Sequence, residues 1–224
     1  MIRKTAEFWL STTKRQLFSL VISVRSSLKT EKFILWPLTV SSISCQSLIT
    51  YSVGNKLKLA GVGQRKTIFV GYSMGGLLTK KMLELYPEFW SHLKGITFLA
   101  TPHFGSPIAE IIDEKQFSYF ATLVRKITTP EIIMLGGLEE SLQELNEGFV
   151  KNAKKYKVPV LSWGEELPSN WGVDIHIVPP ERANPGYGTF KTSKKDHDGM
   201  VMPMDEVDPI YSSTINFMRE CLKL

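Results

Sequence analysis

Along the chain, short runs of consecutive apolar residues alternate with stretches in which apolar residues recur every three or four positions. The alternation is sharpest after residue 66. "TIFV", Thr67 to Val70, reads as a buried strand. Met74 to Tyr86 follows as a helix with Leu77, Leu78, Met82 and Leu85 on one side, and Ile96 to Ala100 as a second strand. A strand, a helix and a strand in that order form a β-α-β unit, which implies a parallel sheet. Residues 106 to 152 read as mainly helical with two glycine breaks. "VPVLSW" (Val158 to Trp163) and "VDIHIV" (Val173 to Val178) then read as two more core strands. The C-terminal "DPIYSSTINFMRECLKL" has helical spacing, with Ile210, Ile215, Phe217, Met218 and Cys221 apolar and Pro209 suited to the first turn. Upstream, "FILWPL" suggests a short buried strand, and "SLITYSVGNKLKL" a weak helix stopping at the Gly61-Val62-Gly63 turn. No internal repeat or low-complexity tract interrupts the pattern.

Composition narrows the class. A chain of 224 residues with 43% hydrophobic content can bury one good-sized core. Cys45 and Cys221 lie far apart without metal-ligand spacing, so neither a disulfide framework nor a zinc site is expected, and a reducing compartment fits. No cofactor is called for. The formal charge of +5 resides wholly in residues 1 to 30, where Arg3, Lys4, Lys14, Arg15, Arg25 and Lys29 oppose Glu7 alone. That segment is rich in Ser and Thr, as mitochondrial presequences are, and a poorly ordered basic tail is the alternative reading. Nucleic acid is not an expected partner, because the rest of the chain is charge-balanced. The run "LFSLVISV" is far shorter than the roughly 20 residues needed to span a bilayer, so the membrane contact expected is peripheral. The division that results is a basic segment over residues 1–40 and a single domain over 41–224.

The chemistry centres on Gly71-Tyr72-Ser73-Met74-Gly75, a G-x-S-x-G string. The string alone is weak evidence, but it lies between a strand and a helix. There, small residues near the serine permit a strained turn that lifts Oγ above the sheet. The same turn puts Ser73 at a helix N-terminus, with the Met74 N–H as an oxyanion donor. A serine hydroxyl needs a base to take its proton, and that base needs a carboxylate to orient it. In α/β-hydrolases the order along the chain is Ser, then Asp or Glu, then His. Of four histidines, His92 reads as a surface residue and His176 as a core residue within a strand. His103, in "ATPHFGSP", would sit at the active rim without an acid between it and the serine. His197, in a loop before the last helix, is the best base. Glu165, at the end of "VLSWGE", is the preferred acid, with Glu181 and Glu166 as alternatives. Asp196 and Asp198 lie too near His197 in sequence to orient its ring. The fold expected is an α/β-hydrolase, a mostly parallel sheet flanked by helices, with residues 106–152 as a helical cap.

With these residues assembled, the chain resembles the lipase domain of the serine active site-containing protein family, a branch of the α/β-hydrolases. The matching strings are "LAGVGQRKTIFVGYSMGGLLTKKML", "ATPHFGSPIAE", "VPVLSWGEELP", "IVPPERANPGYG" and the stretch from His197 to Pro203 followed by Tyr211 to Phe217. The resemblance implies Ser73 as nucleophile, His197 as base and Glu165 as the family glutamate. It also implies a hydrolase or transacylase of ester-linked acyl chains, with phosphatidylglycerol remodelling at mitochondria and their contacts with the endoplasmic reticulum as the process. Two departures stand out. No His-Gly dipeptide occurs to supply a second oxyanion donor, and residues 1 to 40 do not match, so the first strands read as missing or diverged. The chain therefore reads as a shortened or diverged member, with a catalytically inactive module that binds lipid or protein as the alternative. Tyr72 stands where the family usually has His.

Overall fold

A computed structural model describes residues 20–23, 32–35, 46–107, 138–170 and 174–223. Strands β1 (Leu20–Ser23) and β2 (Lys32–Leu35) are followed by helix α1 (Gln46–Leu59), strand β3 (Thr67–Tyr72) and helix α2 (Met74–Leu85). A 3-10 turn over Pro87–His92 leads into β4 (Leu93–Leu99). Then come α3 (Leu138–Tyr156), β5 (Val160–Glu165), a two-residue pair β6 (Ser169–Asn170) and β7 (Asp174–Ile175), α4 (Pro180–Ala183) and β8 (Thr189–Ser193). A 3-10 turn at Asp198–Val201 precedes α5 (Pro209–Leu222).

The main sheet has six strands in the order β2-β1-β3-β4-β5-β8. β3, β4, β5 and β8 run parallel, while β1 pairs antiparallel with both β2 and β3. The parallel order follows from burial. Every position of β3 and of β5 is buried, as expected of strands covered on both faces by crossover helices. Side-chain period then sorts the core into two layers. Phe69, Ile96, Phe98 and Val160 meet Val53 and Leu57 of α1, Met82 and Leu83 of α2, and Phe149 and Ala153 of α3. Val70, Tyr72, Leu99, Leu161 and Trp163 face the opposite way, against Ile210, Phe217 and Met218 of α5. Gly95 lets α5 come close, since a Cβ there would lie 2.7 Å from Cys221 Sγ. Burial pushes that thiol up to about 11, so Cys221 behaves as an inert packing residue. Asp208 caps α5 through Ile210 N–H at 3.0 Å, with Pro209 in the first turn as the sequence indicates.

Several expectations change. Residues 20–23 and 32–35, assigned from sequence to the basic segment, form two strands, so the β3 edge that was expected to lack its first strands carries a short antiparallel pair. Of the strand expected at Val173–Val178, residue 173 lies outside the described residues, and the rest does not join the main sheet: Asp174–Ile175 is extended and pairs with Ser169–Asn170. The last parallel strand is instead β8, a polar edge strand entered through Gly186 and Gly188, both at positive φ. At Gly188 a Cβ would fall 2.3 Å from Val160 O, so only glycine fits the turn. Of the expected cap, residues 108–137 lie outside the described residues. Its C-terminal part is α3, whose Phe149 and Ala153 belong to the main core rather than to a covering layer.

Candidate active site

Four chain segments converge at the carboxyl edge of the parallel strands, where open α/β sheets place their ligands. β3 ends at Tyr72 and the next residue, Ser73, takes φ 50° and ψ −131° before α2 begins at Met74. A non-glycine residue at positive φ costs about 1–3 kcal/mol and persists only where its surroundings enforce it. Here two close approaches enforce it. A Cβ on Gly71 would lie 2.7 Å from Gly76 Cα, and one on Gly76 would lie 2.1 Å from Thr101 Oγ1. Gly76, outside the G-x-S-x-G string, is thus a steric requirement that the motif does not spell. The Ser73 N–H donates to Leu99 O at 2.9 Å, which ties the turn to β4. Met74 is the first helical residue, where a backbone N–H has no acceptor within the helix and is free for an oxyanion.

His197 Nε2 lies 3.0 Å from Ser73 Oγ, and His197 Nδ1 lies 2.6 Å from Glu165 Oε2. Glu165, the last residue of β5, is 0% exposed, and its other oxygen accepts Val178 N–H at 2.9 Å. A carboxylate can only accept, so Nδ1 carries the proton toward Glu165 and Nε2 is left as the acceptor for the serine hydroxyl. The three groups form one unbroken chain of hydrogen bonds from Ser73 through His197 to Glu165, the arrangement that a serine relay requires. His197 is itself held by its main chain: its N–H donates to Ser169 Oγ at 3.2 Å, and its carbonyl accepts the Tyr72 hydroxyl at 3.1 Å.

The remaining candidates lie elsewhere. Glu166, one residue beyond Glu165, is exposed and accepts the Thr192 hydroxyl. Glu181 is exposed in the first turn of α4. Alternation along β5 explains the first: successive side chains leave a strand on opposite faces, so only one of the two adjacent glutamates can face His197. Asp196 accepts Gly199 N–H at 2.9 Å, closing the turn after the histidine. His103 is not at an open rim: it is 0% exposed, its ring edge-on to Phe98 at 4.8 Å. Burial, then the nearby Lys80, holds its imidazole well below the usual histidine range. The surrounding "TPHFGS" loop is tied to the segment after β7 by Arg182 Nη1 to Phe104 O at 3.3 Å and by Ser106 Oγ to Ile177 O. His92 is exposed, and His176 is half-buried outside the main sheet. Among the described residues, no group of three or more His, Cys, Asp or Glu side chains is placed to hold a metal, and no helix is long and apolar enough to cross a membrane.

The parallel sheet, its crossover helices and the turn at Ser73 define the α/β-hydrolase fold. The structure of a lipase from Bacillus licheniformis in its mature form superposes with a TM-score of 0.55 at 16% identity, over 79% of this chain and 72% of that one. Its propeptide form gives a TM-score of 0.52 over 79% of this chain and 39% of that one, again at 16% identity. In sequence the chain is similar to protein SERAC1: 33% identical to the Homo sapiens protein over 175 residues, covering 75% of this chain and 26% of that one. The Danio rerio protein is 35% identical over 177 residues, with the same coverage of 75% and 26%. The chain thus spans about a quarter of the length of these curated relatives. No family model matches it.

Proposed function

We propose that this chain is a serine-dependent hydrolase or transacylase of ester-linked acyl chains, belonging to the serine active site-containing family that the SERAC1 likeness suggests. The observation that carries the reading is the relay Ser73–His197–Glu165, with both of its links within hydrogen-bond distance. In the reaction, Ser73 Oγ attacks the acyl carbonyl while its proton passes to His197 Nε2. The Met74 N–H stabilises the oxyanion. The ester alkoxide then departs with the proton from His197, leaving an acyl-serine. Water, or the hydroxyl of a second lipid, gives its proton to the same nitrogen and attacks that intermediate, which restores Ser73.

An apolar collar supports a lipid substrate. Met204 is 89% exposed and Val207 80% exposed, and Met202 and Leu167 also stand in solvent, all on the loops that carry Glu165 and His197. Lys195 draws these loops together, its carbonyl accepting Leu167 N–H at 3.1 Å and its ammonium donating to Met202 O at 3.2 Å. Such a collar suits an acyl chain or peripheral contact with a lipid surface. We propose phospholipids as the substrates, with remodelling of phosphatidylglycerol at mitochondria and their contacts with the endoplasmic reticulum as the process.

Labelling of the full chain by a fluorophosphonate, with the adduct located by mass spectrometry, tests the reading. An adduct on Ser73 that disappears in Ser73→Ala is expected. A folded chain that stays unlabelled would instead favour a lipid- or protein-binding module without catalysis.

A further inference from the structure

The imidazole of His197 is positioned by Glu165 and Ser73, but its main chain is also held, and by residues the relay does not use. Tyr72 lies on β3, directly before the nucleophile. Its side chain crosses to the opposite layer, donates its hydroxyl to His197 O at 3.1 Å, and packs its ring against the imidazole with centroids 5.0 Å apart. From the other side Ser169 Oγ accepts His197 N–H at 3.2 Å. The residue has no regular element to fix it, since it is the fourth residue after β8 and precedes only a 3-10 turn.

We infer that Tyr72, the second residue of the G-x-S-x-G string, is a positioning residue that locks the base-bearing loop to the nucleophile strand, with Ser169 as its counterpart. The proposal rests on the serine-hydrolase reading above and assigns a role to a position that the motif leaves open. The logic is geometric. Ser73 directly follows β3 and is tied to β4 through Leu99 O, so the 3.0 Å approach of Nε2 depends on how well the loop holds its own distance from β3. Tyr72 is the residue that measures that distance, because it belongs to β3 and bonds to the backbone of His197 itself. A small misplacement of a reacting pair costs up to about a hundred-fold in rate. Burial, then the charges of Asp198, Glu165 and Asp196, push the Tyr72 phenol well above its ordinary range, so the hydroxyl keeps its proton and remains a donor throughout the working pH of a hydrolase.

The experiment is fluorophosphonate inactivation of the full chain, resolved into the maximal rate kinact, the half-saturating concentration KI and the labelled end point, for wild type, Tyr72→Phe and Ser169→Ala. Both variants are expected to reach the wild-type end point with KI unchanged and kinact lowered about ten-fold. A merely structural role would lower the end point, by reducing the folded fraction, and leave kinact alone, which would overturn the proposal. So would unchanged kinact in both variants. Ser169→Ala covers the case in which Tyr72→Phe fails to fold. A readout without turnover separates this proposal from the one beneath it: the Nδ1 proton shared with Glu165 is followed by proton NMR as a far-downfield resonance. If the wild type shows that resonance but no labelling, the hydrolase reading fails. The lock then stands if the resonance broadens or vanishes in either variant, and falls if both retain it unchanged.

Discussion

β3 and the segment from β8 to α5 deliver Ser73 and His197 to the same edge of the sheet, yet they are built in contrasting ways. All six residues of β3 are buried, and the turn that follows is set by backbone angles and by glycines that have no room for a side chain. β8 is polar and exposed at Thr189, Lys191 and Thr192, and the histidine beyond it is held by hydrogen bonds with Tyr72, Ser169, Glu165 and Ser73. Ser73 is thus placed by backbone geometry and packing, chiefly among its neighbours in sequence, with Leu99 and Thr101 closing the turn from the far end of β4. His197 is placed by polar contacts to residues 28 to 125 positions away in the sequence. Changes that spoil packing should strike the first region through stability, and changes that remove a single polar atom should strike the second through rate.

The largest effects test whether the two regions form one machine. Ser73→Ala and His197→Ala should each lower esterase activity by about 10⁴–10⁶-fold, and the double variant should fall no further, because groups acting as a unit lose their effect together. Glu165→Gln should cost about 10⁴-fold, since an amide no longer holds the imidazole in the tautomer with Nδ1 protonated. Steady-state hydrolysis of a short-chain ester measures all four. A double variant well below either single one would show that the serine and histidine act separately.

The same contrast explains what could be read in the sequence. The elbow was legible because its rules are local: a β-branched run, glycines and an amphipathic stretch within about twenty residues specify strand, turn and helix. Glu165 was legible for a related reason, as the last residue of an apolar strand. β8 was not, since "TFKTS" lacks the apolar run of a buried strand and pairs on one side only, while "VDIHIV" has that run but its described residues stay outside the main sheet. Here tertiary context overrides propensity. His103 was misplaced because an apolar strand end gives no sign of whether the following loop folds outward or under α2. Gly76 could have been found: a third glycine one turn into a helix is unfavourable there and asks for a steric reason.

Gly76→Ala is the next test in size, and belongs to the first region. The new methyl would meet the side chain of Thr101, itself wholly buried, so relief requires β4 and α2 to part. A loss of about 3 kcal/mol in stability is expected from such overpacking, read as a lower midpoint in urea. Its counterpart in the second region is Asp208→Ala. Asp208 accepts Ile210 N–H at 3.0 Å and Met204 N–H at 3.4 Å, and pairs with Lys195, so it fastens both ends of the loop after the histidine. Its removal should cost about 2 kcal/mol through the lost helix cap and the stranded ammonium. Burial raises the Asp208 pKa, but the hydrogen bond and charge of Lys195 and the two amides outweigh it, and the net shift is downward. The stability it contributes is therefore present above the ordinary aspartate range and lost as pH falls through its lowered folded value. The gap between wild type and variant should close in acid.

The smallest effect concerns a polar intrusion into the packed region. Lys80, one turn beyond Gly76 on α2, is 1% exposed, lies 5.0 Å from the Phe149 ring centroid and donates to Asn146 Oδ1 at 2.6 Å. Burial lowers its pKa to about 7 from 10.5. Between those values the unfolded chain binds more protons than the native one, so stability rises with pH across that window, by at most about 1.4 kcal/mol per unit. Below about 7 both states are protonated and the full penalty of burying the cation applies. Lys80→Met removes that penalty while leaving Asn146 short of one donor, for a net gain of about 1 kcal/mol near pH 6. Urea midpoints at pH 6, 8 and 10 measure it: the gain should shrink as pH rises and turn into a loss by pH 10, where the neutral amine and its bond to Asn146 are both favourable. A gain independent of pH would mean that Lys80 stays charged in the fold, and that the packed region tolerates a buried cation through Asn146 and the aromatic faces of Phe98 and Phe149 instead.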